Sequence, residues 1–172
     1  MITYEQGALA PVTAENGIEI YRLPCAGTFR WTERLEGVLS TWSPLCWRDH
    51  SLRQWWFPNF CDSSYTYNAP VMLLIDAEDR SRVTISLSDS ALRSKITASV
   101  DDLNQRDELI FSVTVNETVA GEDASGVLLR IDRRGVDWNE AVADAGKWIR
   151  SFGRFERKPV PDNAALPLYS SW

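Results

Sequence analysis

The sequence predicts a mainly β protein, an antiparallel β-sandwich of the supersandwich type, with one amphipathic helix near its C-terminus. Three observations carry that expectation. Apolar and polar residues alternate with period two in the middle of the chain. Turn-forming polar breaks separate these runs at hairpin-like intervals. A single later stretch changes to helical spacing.

The alternating runs come in order. Val83, Ile85 and Leu87 alternate with Thr84, Ser86 and Ser88, and Ile96, Ala98 and Val100 with Lys95, Thr97 and Ser99. Leu109, Phe111, Val113 and Val115 interleave with Ser112 and Thr114, and Val127, Leu129 and Ile131 come next. Successive side chains of a strand point to opposite faces, so each run presents one apolar and one polar face, as half-buried antiparallel strands do. Residues 71–75 are continuously apolar and predict a more central strand. The breaks at 76–82, 101–107 and 121–126 supply turn residues. Residues 18–23 read as a further strand and 34–40 as a weaker one, and 41–70 as a loop-like, aromatic-rich stretch.

The helix is marked by its caps and its stripe. Asp137 can accept from the first-turn N–H groups, and Glu140 three residues on completes a capping box. Trp138, Ala141, Val142, Ala145, Trp148, Ile149 and Phe152 recur at spacings of three and four, an aromatic-rich face predicted to pack on the sandwich. Gly153 is placed to end the helix, which spans about residues 137–152. The domain expectation is therefore a sandwich with its terminal helix over 1–156. Residues 157–172 then form a linker and the start of a further domain. Pro159 and Pro161 stiffen that linker, and the apolar ending Leu166-Pro167-Leu168-Tyr169-Ser170-Ser171-Trp172 is expected to be buried by that further domain.

Composition excludes several function classes. A length of 172 residues with 44% hydrophobic and 24% charged residues suits one soluble domain. The net charge of −6, with no Lys/Arg block, argues against nucleic acid as a partner. No secretory leader and no apolar run of membrane-spanning length is visible, so a cytoplasmic location without membrane contact is expected. Cys25, Cys46 and Cys61 are odd in number and widely spaced, which predicts reduced thiols rather than a disulfide framework. With His50 as the sole histidine, neither a metal site nor a cofactor is expected.

Eight tryptophans are many for this length. They could fill a large core, or offer flat faces to sugar rings. Trp55 and Trp56 are the candidates for sugar contact, because adjacent strand residues point to opposite sides and cannot both enter one core. His50 lies beside Asp49 and Ser51, but adjacency does not build a triad, and a structural histidine is expected. The carboxylates Asp76, Glu78 and Asp79, then Asp101 and Asp102, then Glu122 and Asp123 are expected to be solvated turn residues. No Gly-rich phosphate loop or G-x-S-x-G elbow occurs, so no catalytic residue is assigned.

Several segments in order resemble a known family. They are the aromatic-rich loop, Asn68-Ala69-Pro70-Val71, the alternating strands and Leu129-Arg130-Ile131-Asp132-Arg133-Arg134. Trp138-Asn139-Glu140-Ala141-Val142 with Trp148, and Tyr169-Ser170-Ser171-Trp172, complete the set. Together they resemble the N-terminal region of bacterial α-galactosidases (melibiases) of glycoside hydrolase family 36, over most of residues 60–172. The resemblance implies a non-catalytic sandwich preceding a (β/α)8 barrel that carries both catalytic aspartates of a retaining glycosidase. It implies an α-galactoside-like carbohydrate as substrate, Trp172 near the sugar pocket, contacts within an oligomer, and no activity in this chain alone. A free-standing carbohydrate-binding module and a purely structural interaction domain stay open as alternatives.

Overall fold

The computed structural model describes residues 1–24, 26–34, 38–42, 50–51, 60–63, 71–88, 94–100, 108–115 and 126–152. Among these, two antiparallel sheets stack face to face, and a helix lies on the outer face of the second. The strands are β1 (Ile2–Tyr4), β2 (Gly7–Leu9), β3 (Thr13–Glu15), β4 (Ile18–Leu23), β5 (Gly27–Arg34), β6 (Val38–Trp42) and β7 (His50–Ser51). They continue with β8 (Phe60–Ser63), β9 (Val71–Asp76), β10 (Ser81–Leu87), β11 (Ser94–Val100), β12 (Glu108–Val115) and β13 (Val127–Asp132). The helix, α1, spans Trp138–Arg150. Sheet one runs β2-β1-β5-β12-β11-β8 and sheet two runs β3-β4-β13-β10-β9-β6-β7.

The core lies between the sheets. From sheet one come Ile2, Phe29, Trp31, Ile96, Phe111, Val113 and Val115; sheet two answers with Tyr21, Leu23, Met72, Leu74, Val83, Ile85, Leu87, Val127, Leu129 and Ile131. Trp31 and Phe111 are cross-strand partners whose rings stack at 5.4 Å. The buried Trp31 Nε1–H donates to Glu33 Oε1 at 3.1 Å, so the indole keeps a polar partner. Val83, Ile85, Leu87, Ile96, Phe111, Val113, Val115, Val127, Leu129 and Ile131 are apolar halves of the alternating runs, as the sequence predicts; Ile2, Phe29 and Trp31 come from strands it does not predict.

The continuous apolar run of β9 has a clear cause. All six of its residues are buried. Met72 and Leu74 face the sandwich core, while Val71, Leu73 and Ile75 face α1. A strand sandwiched between two apolar layers cannot alternate, and β9 is an interior strand, between β10 and β6.

Two expectations need correction. Residues 34–40 do not form one strand: Arg34 ends β5, and β6 begins at Val38. The alternation of Phe29 and Trp31 with Arg30 and Thr32 draws Arg34 into β5, which pairs with β12 along its whole length from Gly27 to Arg34. The short β1, β2 and β3, most of β5, and β7 and β8 within the stretch expected to be loop-like are additions to the expected strands, although Asn16-Gly17 turns β3 into β4 with φ of 50° and 79° at the two positions, as a two-residue hairpin loop requires. The predicted face of the helix does pack on the sandwich. The seam against β9 is Ala141, Ala145 and Ile149, whose small side chains at the two alanines allow close approach, with Trp138, Val142 and Trp148 half-buried beside it.

The helix ends obey local chemistry. Asp137 Oδ1 accepts from the N–H groups of Asn139 at 2.9 Å and Glu140 at 3.4 Å. At the other end Ser151 N–H donates to the carbonyls of Lys147 and Trp148, and Ser151 Oγ donates to Trp148 O at 2.6 Å. Ser151 thus satisfies carbonyls that a glycine cap would have satisfied; Gly153 lies outside the described residues.

Candidate functional site

Charged residues gather at one end of the sandwich, where β5, the β9–β10 turn and the end of β13 meet. The turn is built on Asp76. Its Oδ1 accepts from the backbone N–H of Glu78 at 3.1 Å and of Arg80 at 2.9 Å, and Arg80 Nε stands 3.3 Å from Oδ2. Asp79 takes the positive φ of 57° that this tight return needs. Burial pushes the Asp76 carboxyl up, but the N–H groups of Arg80 and Glu78 and the Arg80 guanidinium outweigh it and hold it below the usual carboxylate range. The expectation of a solvated turn is therefore wrong for Asp76, which is buried, because the turn closes around its carboxylate. Glu78 and Asp79 are exposed as expected. Asp101, Asp102, Glu122 and Asp123 lie outside the described residues.

The same turn latches the helix. Trp138 N–H donates to Asp79 O at 3.0 Å, and Ser81 N–H donates to Val136 O at 2.8 Å. One first-turn N–H that helix geometry leaves without an intrahelical partner is thereby satisfied by the sheet.

Behind the turn, β13 ends in a relay of ion pairs. Arg130 Nη2 donates to the buried Asp132 Oδ2 at 2.8 Å. Arg134 donates to Asp132 through Nε, at 3.0 Å to both oxygens, and through Nη2 at 2.7 Å. Arg134 Nη2 also reaches Asp144 Oδ2 on α1 at 2.7 Å. The relay thus ties sheet two to the helix. Hydrogen bonds from Arg134 hold the Asp144 carboxyl below its ordinary range. Hydrogen bonds to Asp132 and Asp144 raise Arg134 above its ordinary value. Burial lowers Arg130, against the attraction of Asp132.

Arg133 makes a second clamp, between the sheets. Its guanidinium donates to Glu19 Oε2 on β4 at 2.7 Å and to both carboxylate oxygens of Glu33 on β5. Tyr21 OH donates to the same Glu19 oxygen at 3.0 Å. Burial, then that hydrogen bond, push the Tyr21 phenol up to about 12. Burial raises the Glu19 carboxyl, but the bonds from Arg133 and Tyr21 prevail and lower it.

These elements line an open cleft of about 660 Å³. Its walls are Thr32, Glu33 and Arg34 from β5, Asp76, Arg80, Arg82 and Val83 from the hairpin, and Arg133 to Gly135. Five arginines face two carboxylates in a chain of net charge −6. Both carboxylates are already engaged, Glu33 by Arg133 and Trp31, and Asp76 by its own turn. The side chains of Arg34 and Arg82 are exposed and have no hydrogen-bond or ion-pair partner among the described residues.

Trp55, Trp56 and Trp172, the residues expected to meet sugar, lie outside the described residues. Arg133 and Arg134 fall in the segment 129–134 that carries the resemblance, but none of the cleft arginines is among the site residues that the sequence predicts. A local signal does exist, in Arg133-Arg134-Gly135 directly after a strand, yet nothing local joins it to Arg34 or Arg82. Among the described residues no group of three or more His, Cys, Asp or Glu could hold a metal ion, and no helix is long and apolar enough to cross a membrane.

Fold and cleft together define an antiparallel β-sandwich with a helix latched to its outer face and an arginine-rich cleft at one end. No protein-family model, no curated protein and no solved structure matches this chain.

Proposed function

We propose that this chain is a non-catalytic β-sandwich domain of an α-galactosidase-like glycoside hydrolase. In this reading it acts in the cytoplasm, supports a catalytic (β/α)8 barrel of the same protein, shapes the pocket entrance and contributes contacts to a homo-oligomer. One observation carries the reading. Two of the segments that carry the resemblance, 129–134 and 138–148, coincide with the ion-pair relay and the latched helix. A domain that supports another must hold its junction in one orientation, and directional bonds do so better than apolar contact alone.

The described carboxylates fit a supporting role. A retaining glycosidase needs two carboxyl groups roughly 5–5.5 Å apart across a pocket, one of them kept protonated as the acid. Glu19, Asp76 and Asp144 are instead held ionised by arginines and backbone N–H groups. Such groups are poor proton donors near neutral pH.

The test is an assay of hydrolysis of an aryl α-galactoside. The purified 172-residue chain should show no turnover at any pH, while the product of the complete reading frame should be active. Turnover by the isolated chain, or an inactive complete product, overturns the proposal.

A further inference from the structure

The cleft at the end of the sandwich has features that a supporting role does not use. Arg34 comes from sheet one and Arg82 from sheet two, and both are exposed guanidiniums without a partner among the described residues. Arg80, Arg133 and Arg134 stand beside them, already oriented by Asp76, Glu33, Glu19, Asp132 and Asp144. The engaged arginines form a frame already balanced by those carboxylates, and Arg34 and Arg82 add two guanidiniums without a partner among the described residues. Among the residues that line the cleft, five arginines stand against two carboxylates, a lining that favours an anionic ligand.

We infer that this cleft binds a phosphate monoester of a small hydroxylated molecule, with Arg34 and Arg82 as its principal ligands. The chemistry selects the class. A guanidinium presents a planar fork that matches the oxygens of phosphate or carboxylate. A single carboxylate fills one fork and balances one charge. A phosphate dianion carries three terminal oxygens and nearly two charges, so it can serve both arginines. The cleft, at about 660 Å³, is also much larger than a phosphate group and leaves room for an organic portion. Thr32 and the charged side chains around it favour a hydroxyl-bearing portion over an apolar one. The inference does not rest on the accessory-domain proposal, because it requires no glycosidase.

Titration calorimetry of the whole chain at low salt tests it, with a hexose 6-phosphate, inorganic phosphate, the neutral hexose and tetraglutamate as probes. The hexose phosphate should bind saturably, inorganic phosphate more weakly, and the neutral hexose not at all. Arg34→Gln and Arg82→Gln should each weaken the phosphate ester roughly tenfold or more, since each removes charge-assisted bonds. Arg150→Gln, on the exposed end of the helix, should leave binding unchanged. Thermal unfolding of each variant confirms its fold; if one arginine variant does not fold, the other carries the test. Absence of saturable phosphate binding overturns the inference, as does full affinity in the Arg34→Gln, Arg82→Gln double variant. Equal affinity for inorganic phosphate and the ester overturns the assignment to an ester. Binding of tetraglutamate in preference to phosphate overturns the inference too, and makes the cleft a site for acidic peptides instead.

Discussion

The outer faces of the two sheets derive from the same alternating pattern but meet different environments. On sheet one, the outward residues of β5, β11 and β12 include half-exposed hydroxyls that pair across strands: Thr28 with Thr114 at 3.2 Å, and Thr97 with Ser112. On sheet two, the outward residues Thr84, Ser86, Arg130 and Asp132 are buried. The polar half of an amphipathic strand is cheap to place against water. Covered, it must find partners, because a buried polar group without a hydrogen bond costs about 1–3 kcal/mol. Sheet two answers that demand with arginine–aspartate pairs and a Ser81–Thr84 hydrogen bond, leaving Ser86 Oγ and Arg130 Nη1 without a hydrogen-bond partner among the described residues, and sheet one does not face it. The difference teaches that a period-two pattern marks two faces without saying which polar face stays wet.

Substitutions at matched positions test that contrast. The largest effect should come from Asp132→Ala, which leaves Arg130 buried without its carboxylate and cuts the route from sheet two through Arg134 to the helix. Breaking a buried ion pair from one side costs about 3–5 kcal/mol, readable as a lower urea midpoint. A loss under about 1 kcal/mol would place the relay among surface ion pairs. Next comes Ala145→Leu at the fully buried helix seam, where overpacking against β9 should cost about 1–3 kcal/mol. A neutral result would mean that the helix does not sit closely on the sheet.

Acid should act on sheet two's side more than on sheet one's. Asp76 and Asp144 have folded-state values below their unfolded ones, so their contribution is present above the ordinary carboxylate value, about 3.9, and is lost as pH falls through the lower folded values. Urea midpoints should therefore drop below about pH 4, and Asp144→Asn should flatten part of that drop. An unchanged acid profile in the variant would remove Asp144 from the account. The smallest effect belongs to sheet one: Thr28→Ala should cost no more than about 0.5 kcal/mol, because its half-exposed partner Thr114 can turn to water. A cost comparable to that of Asp132→Ala would abolish the contrast.

Local chemistry is legible in the sequence where it is self-contained. The alternation at Val83, Ile85 and Leu87 and at Phe111, Val113 and Val115 marks inward residues correctly, and Asp137 before an apolar stripe marks the helix start. Both depend only on neighbours along the chain: the pleat repeats every two residues, and a cap reaches its own first turn. The chain does not declare which runs share a sheet. β9 pairs with β10 and β11 with β12 as sequential hairpins, but β12 and β13 belong to different sheets although a similar polar break lies between them.

The cleft is the clearest case. Arg34, Arg80, Arg82, Arg133 and Arg134 come from β5, a hairpin and the end of β13, and only the stacking of the two sheets brings them together. Likewise Asp76, an ordinary turn carboxylate in sequence, is buried because the turn folds around it and docks on the helix entry. By itself the sequence determined strands, faces and caps, which are properties of short-range periodicity. The tertiary structure alone decided sheet membership, the burial of Arg130 and Asp132, and the arginine cleft, because each depends on which distant residues are packed opposite.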